Sequence, residues 1–105
     1  MAFYLVKARP QLNKLTKLKE ILDNEKIRPL KPFGNTLHHS LLNARLKPDG
    51  FAIWEEEDYC IPPLSAERAA VLDHYFNELS VKSVAEGAGW KEIEGLPTLW
   101  NRSES

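Results

Sequence analysis

The chain predicts an α+β fold, an antiparallel four-stranded sheet with two helices on one face. Three observations lead there. Runs of β-branched and aromatic residues stand near 3–8, 51–60 and 80–85. Two other stretches, about 11–24 and 65–78, repeat apolar residues at helical spacing. Lys47-Pro48-Asp49-Gly50 then gives a turn signal of the kind that joins hairpin strands.

Phe3-Tyr4-Leu5-Val6-Lys7-Ala8 reads as the first strand. Both alternating faces are apolar at its start, Phe3 with Leu5 and Tyr4 with Val6, as in a central strand covered on both sides; Pro10 stops it. From Gln11 to about Asn24, Leu12, Leu15, Leu18, Ile21 and Leu22 make a helical stripe with Lys14, Lys17 and Lys19 on its solvated side. A connector with Pro29, Pro32 and Gly34 follows. Residues 37–46 carry two signals. Leu37, Leu41 and Ala44 fit a helix, but the Pro-Asp-Gly turn makes the segment one arm of a hairpin, and the turn decides for a second strand paired with 51–60. After Pro62-Pro63, Ser65 suits an N-cap and Glu67 the dipole of a helix over about 65–78. Its stripe is Ala69, Leu72, Phe76 and Leu79, with Tyr75 beside it. Ser80 to Ala85 closes the sheet as a polar edge strand. Trp90, Ile93, Leu96, Leu99 and Trp100 are too large an apolar load for a loose end, so 87–100 is expected to dock, with disorder left to 101–105.

Strand, helix, strand, strand, helix, strand is the ferredoxin-like βαββαβ order. Over about residues 3–86 this outline resembles the dimeric α+β barrel proteins, and the resemblance implies two sheets paired through their open faces. It assigns no functional residue. Trp54 and one apolar row of the first strand are placed on the face that the helices leave open. A homodimer is therefore expected, with the tryptophan-containing tail as the competing cover.

A chain of 105 residues, 43% hydrophobic and 28% charged, makes one globular domain, 1–105, with a single core. No apolar run reaches the roughly 18–20 residues of a membrane span. The apolar start lacks the basic lead-in of a signal peptide, and one cysteine forms no internal disulfide, so a cytoplasmic location is expected. A net charge of −1 gives no reason to expect nucleic acid. The charge is split, however: residues 1–50 carry ten Lys/Arg against four Asp/Glu, and residues 51–105 carry four against eleven.

The predicted hairpin gathers the chemistry. With Leu46 opposite Phe51, one face of the strand pair collects Arg45, Asn43, Trp54, Glu56, His39 and Asp58. His39 beside Glu56 or Asp58 is the minimum for general acid–base work, since a carboxylate fixes the imidazole tautomer. Arg45 and Asn43 would bind a ligand, and Trp54 would stack on a planar one. The same mixture also describes a dimer interface, where aromatic and Arg residues are enriched. Slippage by one residue would turn every side chain over and present His38 and Ser40 instead. Four successive acids, Glu55 to Asp58, must turn at least one carboxylate inward, and Arg45, His39 or Arg68 is expected to pair with it.

No structural metal and no cofactor is expected, and His38, His39 and the acids Glu55 to Asp58 leave only a weak adventitious ion open. Zinc-type spacing is absent, and adjacent His38 and His39 on a strand would point to opposite faces. The four acids upstream argue against Cys60 as a nucleophile, leaving it a small buried residue at a strand end. The reading adopted is a non-enzymatic homodimeric module that binds a protein partner or assists an assembly. The alternative is a small cofactor-free enzyme or ligand-binding protein using the His/carboxylate/Arg cluster.

Overall fold

Two strands rich in β-branched and aromatic residues, β1 (Ala2–Pro10) and β3 (Ala52–Asp58), form the middle of the sheet. The computed structural model describes residues 2–100; the disorder expected for 101–105 lies outside the described residues. With β2 (Arg45–Leu46) and β4 (Phe76–Val84), the strands make a four-stranded antiparallel sheet in the order β2-β3-β1-β4. The helices are α1 (Leu15–Asp23), α2 (Gly34–Leu42), α3 (65–75) and α4 (Ala88–Ile93).

Period-two alternation divides the two central strands cleanly. Val6 pairs with Trp54 and Ala8 with Ala52 on one face. Leu15, Leu18 and Leu22 of α1, Leu37 and Leu41 of α2, and Val71 and Leu72 of α3 close over that face as the main core. Lys14 and Lys17 are exposed, as the helical stripe requires, but Leu12 lies in a short 3₁₀ turn and is 61% exposed. The other face carries a smaller cluster, Leu5, Ile53 and Ile93, because α4 packs across it.

Four expectations are corrected here. Trp54 does not point to an open face; it is fully buried under the helices and packs against Phe76 at a centroid distance of 5.2 Å. Residues 37–46 are not a strand: Gly34–Leu42 is helical, and Arg45–Leu46 is all that pairs with β3. The segment 37–46 has no β-branched residue, and its Leu37/Leu41 spacing buries one helical face. The turn signal is correct but short in reach. Lys47 N–H donates to the Phe51 carbonyl at 2.8 Å, closing a loop of Pro48, Asp49 and a left-handed Gly50 (φ 92°). That loop pairs Leu46 with Ala52, one residue away from the expected register, and so puts Arg45 opposite Ile53. Finally, the helix expected over 65–78 stops at Tyr75, and Phe76 is already extended at φ −134° and ψ 149°. Ser65 does not cap it through its side chain. Its middle, Arg68–Leu72, is π-helical, which turns Glu67, Val71 and Leu72 inward and leaves Ala69 exposed.

α2 takes the place that a full-length second strand would fill along β3. Ser40 Oγ donates to the Glu55 carbonyl at 2.8 Å, supplying the ladder bond that a strand N–H would have made. Gly34 opens α2 because a Cβ there would collide with the Ile27 and Arg28 carbonyls. The tail closes the other side of β2. Leu46 N–H donates to the Pro97 carbonyl, Leu99 N–H donates to the Ala44 carbonyl, and Arg45 and Thr98 form an antiparallel bridge.

His38 sits on the buried side of α2, 3% exposed, with its Nδ1 unpartnered among the described residues. Burial, and then the positive charge of Arg28, hold its pKa below the ordinary 6.5; His39 adds to this and Glu25 opposes it. The unfolded chain therefore binds a proton that the native chain rejects. Stability is full above pH 6.5 and falls as the pH drops through the depressed native value. Urea midpoints should decline between about pH 7 and pH 5, and His38→Leu should flatten that decline. An equal decline in the variant would assign the effect to other groups.

Candidate functional site

The acidic end of β3 sends its carboxylates to both faces, and neither face meets them with a cation among the described residues. Glu55 points toward α4. Its Oε2 accepts from Gly87 N–H at 2.8 Å, and its Oε1 from Gly89 N–H at 2.7 Å and Trp90 N–H at 3.2 Å. A left-handed Gly87 (φ 82°) turns these amides inward. The carboxylate thus fixes the first turn of the short helix to the sheet.

On the opposite face, Glu56 and Asp58 are 1% and 4% exposed and meet Glu67 of α3, which is also 1% exposed. Glu56 Oε1 accepts from the Trp54 indole at 3.0 Å. Asp58 Oδ2 accepts from Leu64 N–H at 2.6 Å and Cys60 N–H at 3.1 Å. Burial holds the Glu56 carboxyl well above its ordinary range, against the Trp54 bond that pulls it down, and the neighbouring Glu67 and Asp58 raise it further. Burial likewise raises Glu67, helped by its hydrogen bond to Asp58. For Asp58, burial pushes upward but is outweighed by the Leu64 N–H, the Glu67 side chain and Cys60, which leave it below its usual value. The three acids are thus pushed in opposite directions, Glu56 and Glu67 upward and Asp58 downward. The Arg or His partner expected for Glu55–Glu57 is absent among the described residues: backbone amides serve Glu55, and the Trp54 indole serves Glu56.

The residues singled out from the sequence divide between the surface and the interior. Trp54, Glu56 and Asp58 lie inside the helix-covered face. His39 and Asn43 lie on the exposed side of α2, where Asn43 Nδ2 donates to the His39 carbonyl at 2.8 Å and closes the helix. Arg45 is half-buried, and its Nη1 donates to the Glu94 and Leu96 carbonyls, which ties down the tail. His39, Asn43 and Arg45 are nevertheless brought together, along a surface groove. Its first part, about 550 Å³, runs between α2 and α4 past Phe3, His39, Glu55, Glu57, Glu86 and Trp90. Its second part, about 500 Å³, continues past Asn43, Arg45, Lys91 and Glu94. His39, Gly87 and Trp90 line both parts, and the His39 and Trp90 rings meet edge to face at 6.4 Å.

Two residues of these sites escaped the sequence reading. Trp90 was assigned only to a docked tail, yet it forms the aromatic wall of the groove. Glu67 was read as a dipole partner; its four-residue spacing from the buried Val71 was the available sign that it faces inward.

Gly89 gives a test of the Glu55 anchor whose sign is opposite to helix propensity. Glycine to alanine within a helix ordinarily stabilises by about 1 kcal/mol. Here the new Cβ would stand 2.8 Å from Glu55 Oε1 and 3.2 Å from Leu5 Cδ1. Gly89→Ala should therefore destabilise, and Glu55→Ala, which strands buried amides, should cost about 3 kcal/mol. Both should raise hydrogen exchange over residues 87–93; a stabilised Gly89→Ala would contradict the anchor.

Comparison with family models, with curated proteins and with solved structures gave no match for this chain.

Proposed function

We propose that the protein is a non-enzymatic binding module whose groove between α2 and α4 takes an extended segment of a partner protein. We further read its sheet as ferredoxin-like, with α2 standing where most of the second strand would run. The strand order and the hairpin between β2 and β3 support that reading.

The groove carries the functional proposal. It is open rather than enclosed, and the His39–Trp90 pair stands at its centre. Glu57 and Glu86 stand at one end, and Arg45 and Lys91 at the other. A segment with a basic side chain toward Glu57, an apolar residue over the aromatic pair and an acidic side chain toward Lys91 matches this order. The cofactor-free enzyme draws less support. It needs His39 beside Glu56 or Asp58, whereas His39 shares its groove with Glu55 and Glu57, which alternate to the opposite side of β3.

Short peptides test the reading. A peptide with Arg and Asp flanking a central Phe should shift the His39 and Trp90 NMR resonances, with a dissociation constant in the micromolar range. The same peptide with both charges acidic should bind at least about tenfold more weakly, equivalent to about 1.4 kcal/mol. Exchanging the surface charge in Glu86→Lys, at the end where the two peptides differ, should narrow that difference. If neither peptide moves the two resonances, the groove is not the binding surface.

A homodimer is a second reading, and it rests on β4 rather than on the sheet face. β4 runs nine residues along the sheet edge, paired on one side only with β1 and largely exposed. Two copies pairing edge to edge would bury those free ladder groups. Sedimentation equilibrium at micromolar concentration should then show a dimer; a monomer would remove this reading.

A further inference from the structure

The end of β3, the loop after it and the first turn of α3 bring two carboxylates and a thiol into one place. Asp58, Cys60 and Glu67 each direct a carboxylate or thiol atom to within 4.8 Å of the others, and the Cys60 Sγ to Glu67 Oε1 distance is 3.8 Å. A four-coordinate zinc ion holds sulfur at about 2.3 Å and oxygen at about 2.0–2.2 Å, so its ligand atoms stand about 3.3–3.7 Å apart. The cluster is thus slightly expanded relative to a loaded site, with one pair already close to the required spacing.

Independent of this spacing, two buried oxygens beside the cluster have no partner. Glu67 Oε2 and Glu56 Oε2 are both shielded from solvent and accept no hydrogen bond among the described residues. The Glu56 carboxyl lies against that of Glu67. No Lys, Arg or His among the described residues forms an ion pair with Glu56, Asp58 or Glu67. Buried carboxylates without a cation are costly, and a divalent ion is one of the few groups that satisfies several of them together.

We propose that Asp58, Cys60 and Glu67 bind a divalent cation of the zinc class, with Glu56 behind Glu67 orienting its carboxylate. The thiol selects zinc-like ions over magnesium or calcium, which take oxygen ligands alone. Leu64 and Cys60 N–H groups already hold Asp58 in place, as outer-shell donors do for metal carboxylates. The way in lies through the loop, where Cys60 is half-buried and Tyr59 and Ile61 are exposed. Binding replaces the thiol proton, and any proton held on the Glu67 carboxyl, with bonds to the metal and releases them to solvent.

The test uses the full chain stripped of metal by a chelator and titrated with zinc, and in parallel with cobalt(II) as the spectroscopic probe. One equivalent of zinc should bind and raise the melting temperature. Cobalt should give a thiolate-to-metal charge-transfer band in the near ultraviolet. Cys60→Ser, at a half-buried position, should abolish the band and weaken zinc by at least about tenfold. Glu67→Gln should weaken zinc comparably while leaving a cobalt band of reduced intensity. The proposal is overturned by the absence of zinc binding at about 100 μM, by cobalt binding without a thiolate band, or by unchanged affinity in Cys60→Ser.

Discussion

Four consecutive carboxylates in a strand covered on both faces are the constraint from which most of this architecture follows. Alternation cannot keep all of them wet, and the fold answers each side differently. On the side of Ile53, Glu55 collects three backbone amides and so fastens α4 over an otherwise bare sheet. On the side of Trp54, Asp58 collects two amides and so shapes the loop that leads into α3. A charge-assisted bond to a backbone N–H is roughly twice as strong as a neutral one. The acids therefore act as polar anchors for the chain segments that flank the sheet.

The same strand explains how much could be read from the sequence. β1, α1 and β3 were legible because both strands open on β-branched and aromatic residues and the helix repeats apolar residues at a period of 3.6. The segment 37–46 was not, because a genuine turn signal follows it and outweighed a Leu37/Leu41 spacing that was visible all along. A hairpin signal fixes the residues next to the turn and says little about how far its arms extend. Trp54 is expected on the open face because the row of Phe51 and Ile53 with residues 42–46 reads as the helix-covered floor, and that row loses its support once Gly34–Leu42 is a helix. The helix expected to reach residue 78 ended early because Phe76 and Leu79 are equally acceptable to a strand.

The candidate site shows a parallel mixture. Residues chosen to share a hairpin face did come together in part, but through helices. His39 and Asn43 project from α2, Arg45 follows it, and α4 faces them with Trp90. The acids chosen with them went inside instead. Their inward partner, Glu67, is distant in sequence and belongs to a helix whose phase was misread, so nothing local to residues 55–60 could have revealed it.

That phase has a consequence of its own. An α-helix advances about 100° per residue, and a π-helical turn absorbs one residue more than a regular one. The turn at Arg68–Leu72 therefore sets the angle between the two ends of α3. A chain lacking one residue there would wind more regularly and gain straighter backbone bonds. It would also rotate Glu67 away from Asp58, or else rotate Leu72 out of the core. The length of this segment, more than the identity of its residues, is what keeps acid and core on the same side.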